Sequence, residues 1–197
     1  MPKEQSPLKI ALVGTSCTGK TTLFEHFRRE YANNANIVFS EEGARAYFED
    51  QRKKNEPPPA RFTVDIQREI QKRTMTNEKT AHANNPTIIF CDSSTVDQAV
   101  YTRAQGDKKG AEELYEGISL WVPTYSKFFM LDPRDVPFKN DEIRNEPSTF
   151  RQNVHNTFIE LFTEKGLAYD VLSGSVEERF HTVDTLVKTV MPSDQLL

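Results

Sequence analysis

A chain of 197 residues, 37% of them hydrophobic, has the material for a single core, and its formal net charge of −4 argues against non-specific nucleic-acid binding as the main task. No apolar run reaches membrane-spanning length and Met1 to Pro7 lacks the apolar stretch of a secretory leader, so neither membrane insertion nor export is expected. Cys17 and Cys91 do not make a disulfide framework, which points to reduced thiols and a cytoplasmic setting.

Taken in order, the apolar run from Lys9 to Val13 predicts a strand buried in a parallel sheet. Gly14, Thr15, Ser16, Cys17, Thr18, Gly19, Lys20 and Thr21 then fit the pattern G-x-x-x-x-G-K-[ST], and Leu23, Phe24, Phe27 and Tyr31 follow at helical spacing. Strand, glycine turn and helix start therefore coincide, as a phosphate-binding loop requires. Its backbone N–H groups, through Thr22, would converge on the phosphates of ATP at a helix N-terminus. Lys20 would reach the β- and γ-phosphates, and the Thr21 hydroxyl would ligate Mg²⁺.

Ile37 to Phe39 predicts a second strand, with Glu41, Glu42 and Arg45 at its exit, where open parallel sheets bind ligands. Either these charges receive a phosphoryl acceptor, or they are a helix start with acidic residues and a solvated arginine. The polar, proline-rich stretch 51–59 reads as a surface loop. Phe62 to Thr80 predicts an amphipathic helix with a thin stripe of Phe62, Ile66, Ile70 and Met75. Arg61, just before it, and Arg68 and Arg73 on it either reach an anionic acceptor or stand in solvent.

Thr87 to Asp92 is an apolar strand ending in an acid. Behind a phosphate loop, Asp92 is expected to hold Mg²⁺ through its water shell, and it is also a candidate base toward a sugar hydroxyl, as is Glu41. Ser93 to Thr95 is expected to cap a helix through Asp97, Val100 and Tyr101, with 107–110 as a turn and a further helix carrying Leu114, Ile118 and 120–122. Trp121 is expected in the core. Lys127 to Leu131 predicts a strand, followed at 133–150 by a charged, irregular lid segment. Arg144 of that segment first, and Arg151 just beyond it second, are assigned to the charge developing on the transferred phosphoryl, the alternative being a solvated loop. A helix from Phe150 to Lys165 ends at Gly166, and Tyr169 to Leu172 is the last strand. Ser175 and Glu178 form a capping box, next to a turn at Gly174 where many such folds hold the nucleotide base.

The phosphate loop, Glu41 to Tyr47, Asp92, Asp97 to Tyr101, Pro137 to Arg144 and Gly174 to Phe180 together resemble the bacterial nicotinamide riboside kinase (NadR-type) AAA-like group of P-loop kinases. The stretch from Pro137 to Arg144 is similar to that group's proline–aromatic–x–x–Asp–Gly–x–Arg lid, with Glu142 in place of the glycine and Phe138 where a tryptophan is often found. The resemblance implies an α/β P-loop NTPase: a doubly wound parallel sheet of about five strands, one domain over 1–197, and a small lid segment at 133–150. It implies ATP with Mg²⁺, Gly174 and Ser175 on the adenine side, and Asp97 and Phe138 with Glu41 and Arg45 on the acceptor side. The expected activity is a kinase acting on a nucleoside-like or nucleotide-like small molecule. A nucleotide-binding regulatory protein of ATPase or GTPase type, acting through a protein partner, is the alternative, although no Asn/Thr-Lys-x-Asp guanine-reading motif follows the fourth strand. A ring-forming motor is not expected, because the residues given after the core are too few for its usual helical lid domain.

Overall fold

The structure, a computed structural model, describes residues 6–55, 57, 59, 62–135 and 148–191. The short apolar runs become strands β1 (Leu8–Val13), β2 (Ile37–Ser40), β3 (Ile88–Cys91), β4 (Lys127–Leu131) and β5 (Asp170–Leu172). All neighbouring pairs are parallel, in the order β2-β3-β1-β4-β5. Parallel strands need crossovers, and these are supplied by α1 (Lys20–Glu30), α2 (Gly43–Lys53), α3 (Val64–His82), α4 (Asp97–Ala104), α5 (Lys108–Glu116), α6 (Ser148–Glu164) and α7 (Val176–Val190).

Side chains alternate across the sheet. Ile10, Leu12, Phe90 and Leu131 meet Leu23, Phe24 and Phe27 of α1 and Val183 and Val187 of α7. Ala11, Val13, Cys91 and Met130 face Val100 of α4, Leu114 of α5 and Phe158 and Phe162 of α6. Helices thus cover both faces, the doubly wound arrangement that the family resemblance implies. The chain order reverses between β1 and β3, and the crevice at their carboxyl ends is where such sheets bind ligands.

Several local expectations need correction. The stretch 51–53 continues α2 instead of starting a loop. Residues 108–110 are the first turn of α5, because the Asp107 carboxylate accepts from the Gly110 N–H at 2.8 Å and caps the helix. Residues 120–122 are not in a helix that continues α5; a short 3-10 turn at Val122–Thr124 replaces it. The residue capping α4 is Val96, and the hydroxyl of Ser94 instead donates to Asp97, its neighbour in the turn, at 2.6 Å. The Ser175–Glu178 capping box on α7 forms as expected. At the end of α6, Gly166 takes φ +66°, and the Leu167 N–H reaches the Phe162 carbonyl.

The buried stripe of α3 is the largest departure. Gln67, Gln71, Thr74 and Glu78 are buried alongside Ile70 and Ala81. Glu78 pairs with Lys9 beneath β1 and accepts from Trp121 Nε1 at 2.7 Å and from the Tyr125 hydroxyl. Gln71 Nε2 donates to the Thr95 carbonyl at 2.9 Å and also to that of Leu114. Among the described residues, no helix is long and apolar enough to cross a membrane.

Candidate functional site

The turn after β1 has to pass close to β4. A Cβ on Gly14 would stand 3.2 Å from the Leu131 carbonyl oxygen, and the residue's φ of +135° is one that side chains disfavour. Cys17, at φ +55°, is a non-glycine residue held in the left-handed region within the same loop. The loop opens onto a cleft of about 490 Å³ whose floor is Cys17, Thr18, Gly19, Lys20, Thr21 and Thr22. The opposite wall is one face of α2, carrying Glu42, Arg45, Phe48, Glu49 and Arg52.

Within the cleft, the Lys20 ammonium donates to the carbonyls of Gly14 at 2.7 Å and Thr15 at 2.8 Å. The Thr21 hydroxyl donates to Asp92 Oδ2 at 3.1 Å, which joins the phosphate-loop pattern to the acid ending β3 across 71 positions of sequence. Burial above all, and the nearby Glu42 carboxylate, push Asp92 up to about 7, while Lys20, the Thr21 hydroxyl and Arg45 oppose the shift. Its second oxygen, Oδ1, is buried with no hydrogen-bond partner among the described residues.

A divalent cation with a taste for oxygen fits this donor set, since a hydroxyl and a buried carboxylate stand side by side with one carboxylate oxygen uncommitted. Among the described residues no cluster of three or more His, Cys, Asp or Glu could hold a metal ion unaided. Waters and phosphate oxygens would supply the other ligands, as they commonly do for Mg²⁺.

The other expected site residues divide. Arg45 faces the cleft from α2. Glu41 does not line it: its carboxylate turns to Arg28 Nη1 at 2.8 Å, and Glu42 takes the inward place. Asp97 is buried close enough to feel Lys20, and its Oδ1 accepts from the Ser94 N–H at 3.0 Å and from the Ser94 hydroxyl. Arg151, at the start of α6, donates through Nη2 to the carbonyls of Cys17 at 3.1 Å and Pro133 at 2.9 Å. Gly174, at φ +91°, and Ser175 form the turn between β5 and α7, where the Ser175 hydroxyl accepts from the Glu178 N–H. Phe138, Arg144 and Arg61 lie outside the described residues.

Arg68 and Arg73 are engaged on the helix surface. Arg68 pairs with Asp65 at 2.7 Å, and Arg73 pairs with Glu69 and, at 2.6 Å, with Asp50 of α2. Sequence reasoning named Glu42 with Arg45 at this strand exit but missed Phe48, Glu49 and Arg52. Their spacing with Glu42 and Arg45 along α2 is the available signal, and for Arg52 the loop reading of 51–59 hides it. It also gave Arg179 no role. That side chain is 2% exposed and donates to the Thr18 carbonyl at 2.6 Å and the Asp132 carbonyl at 3.2 Å.

The family model described as AAA domain matches residues 9–179. No curated protein matches the chain. Among solved structures it is similar to NadR protein in complex with NAD and AMP-PNP, with TM-score 0.63, 21% identity, and coverage of 95% of this chain and 50% of that one. NadR protein in complex with NR gives TM-score 0.66 at 21% identity, covering 94% and 50%. Deoxyadenosine kinase from M. mycoides, with products dCMP and a flexible dCDP bound, gives TM-score 0.57 at 14% identity, covering 92% and 99%. The chain spans about half the length of the NadR chains. These likenesses show an α/β P-loop NTPase fold and, at the level of the fold, bear out the NadR-type resemblance.

Proposed function

The chain belongs to the AAA domain family, and from that premise we propose that it is an ATP-dependent, Mg²⁺-dependent kinase that transfers the γ-phosphoryl group to a nucleoside-like or nucleotide-like small molecule. The observation that carries this reading is the cleft that Lys20 and Thr21 line together with Glu42 and Arg45, with Asp92 accepting from the Thr21 hydroxyl at 3.1 Å. Phosphoryl transfer asks for positioning and charge neutralisation more than for covalent chemistry, and this set can supply both.

Lys20 exchanges its two carbonyl contacts for phosphate oxygens. Thr21 and Asp92 hold the cation, which when bound would neutralise charge on the β- and γ-phosphates. Glu42, standing where Glu41 was expected, accepts the proton of an acceptor hydroxyl, and Arg45 receives any anionic group the acceptor carries. Asp97 fixes the turn after β3 on the acceptor side. The Gly174–Ser175 turn flanks the adenine, and Arg144 and Phe138 retain their assignments to the transferred phosphoryl and the acceptor ring, within a single unit whose lid is 133–150. Cys17 and Cys91 are not joined in a disulfide, which agrees with a cytoplasmic setting.

The test is incubation of the full chain with ATP and Mg²⁺ against a panel of nucleosides and monophosphates, following ADP and product by mass. Acceptor-dependent ADP release is expected, reduced at least about 10²-fold by Lys20→Ala, which removes the ammonium that neutralises charge on the moving phosphoryl. Absence of turnover with every acceptor, together with a strong preference for binding GTP, would favour the regulatory alternative.

A further inference from the structure

Two arginines from different helices reach the phosphate loop, and each bridges a pair of carbonyls, Arg151 through Nη2 alone and Arg179 through Nη1 and Nη2. Arg151 of α6 bridges the Cys17 and Pro133 carbonyls, and Arg179 of α7 bridges those of Thr18 and Asp132. Each guanidinium thus ties one carbonyl of the loop to one at the carboxyl end of β4, and the residues held are consecutive on both sides. Both side chains are buried, at 6% and 2% exposure. Arginine suits the task because its planar fork offers several donors in fixed directions, whereas a lysine ammonium is a point charge on a flexible stem.

The consequence follows from peptide geometry. In a trans peptide the C=O and the next N–H point in opposite directions. Drawing the Cys17 and Thr18 carbonyls back onto buried guanidiniums therefore turns the N–H groups of Thr18 and Gly19 the other way, toward the cleft these residues line. Positive charge behind each carbonyl also polarises its peptide, making the N–H a stronger donor to an anion. The clamp further accounts for Cys17, whose left-handed conformation is unfavourable for a residue with a Cβ unless its surroundings hold it.

We propose that Arg151 and Arg179 are positioning residues that aim the Thr18 and Gly19 amides at the phosphates of the nucleotide. This replaces for Arg151 the direct contact with the transferred phosphoryl expected from sequence. It rests on the phosphate-site reading above, but not on the identity of the acceptor. Inorganic tripolyphosphate is accordingly the right probe, since it carries neither base nor sugar.

The experiment uses full-length, ¹⁵N-labelled protein titrated with tripolyphosphate, wild type beside Arg151→Lys and Arg179→Lys, with binding measured by calorimetry and each amide followed by NMR. In the wild type the Thr18 and Gly19 amide protons are expected to shift downfield as the anion binds. Each lysine variant should bind about tenfold more weakly or worse, the scale of one lost charge-assisted hydrogen bond. The variant's shift should also shrink at the amide it no longer aims: Thr18 for Arg151→Lys, Gly19 for Arg179→Lys. A merely structural role would lower stability without selecting those amides. Unchanged affinity and shifts in the variants would overturn the inference alone. A wild type that binds tripolyphosphate without moving the two amides would also overturn it, even if neither variant folds. If the wild type binds no tripolyphosphate, the phosphate-site reading and this inference fall together.

Discussion

Gly43 is the residue on which the placement of the acceptor wall depends, and Gly43→Ala tests it. It opens α2 where that helix crosses α3. A Cβ there would lie 2.5 Å from Thr74 Oγ1 and 2.7 Å from both the Ile70 carbonyl oxygen and the Thr74 nitrogen. The hydroxyl can rotate away, but the two backbone atoms belong to a helix and cannot. Restoring ordinary contact at 3.4 Å requires the start of α2 to retreat by about 0.7 Å. Overpacking of this kind costs about 1–3 kcal/mol, against a gain of at most about 1 kcal/mol from placing alanine in a helix. A net loss of about 1–2 kcal/mol corresponds to a fall in Tm of roughly 2–8 °C for a chain of this size. The same retreat carries Glu42 and Arg45 with it. Displacements near 1 Å cost up to about 10²-fold in rate, so we expect acceptor kcat/KM to fall by about tenfold or more. ATP affinity should hold, because the phosphate loop is carried by β1 and α1. Thermal melts, ATP calorimetry and steady-state kinetics with the acceptor found in the panel measure all three. A Gly43→Ala protein with wild-type Tm and acceptor kcat/KM would refute the reasoning. So would full rescue by adding Thr74→Ala, since the two backbone contacts remain in that double variant.

Two further outcomes follow from buried charge. Glu78→Ala strands Lys9, whose side chain is 6% exposed, without its carboxylate and should cost about 3–5 kcal/mol in urea unfolding. Lys9→Met with Glu78→Leu should recover most of that, and a double variant as unstable as the single one would sink the argument. Burial, with a smaller push from Glu42, raises the Asp97 carboxyl from 3.8 to about 6, against Lys20 and the Ser94 hydrogen bonds. Because the folded value lies above the unfolded one, the unfolded chain ionises first. Stability from this group is then greatest below about pH 4, declines as pH rises toward about 6 and is level beyond, by at most about 3 kcal/mol. Asp97→Asn lacks that titration, so its unfolding free energy relative to wild type should climb between pH 4 and 7; a flat difference would contradict the assignment.

The sequence alone determined the strands, the phosphate loop and the pairing of that loop with Asp92, because each is written in a local pattern: an apolar run, a glycine spacing, an acid at a strand end. The Ser175 capping box and the Gly166 helix stop were legible for the same reason. Only the tertiary structure decided which of two adjacent acids faces the cleft. Glu41 and Glu42 differ by one position on the same strand exit, and the choice depends on Arg28 of α1 capturing Glu41 and on Gly43 seating α2 against α3. The polar face buried by α3 was equally beyond reach, because Gln71 and Glu78 are satisfied by partners far away in sequence and read locally as surface. Arg151 and Arg179 hold carbonyls 134 and 161 residues away. Periodicity reports which residues share a face of their own element; it carries no information about the backbone atoms that another element brings to meet them.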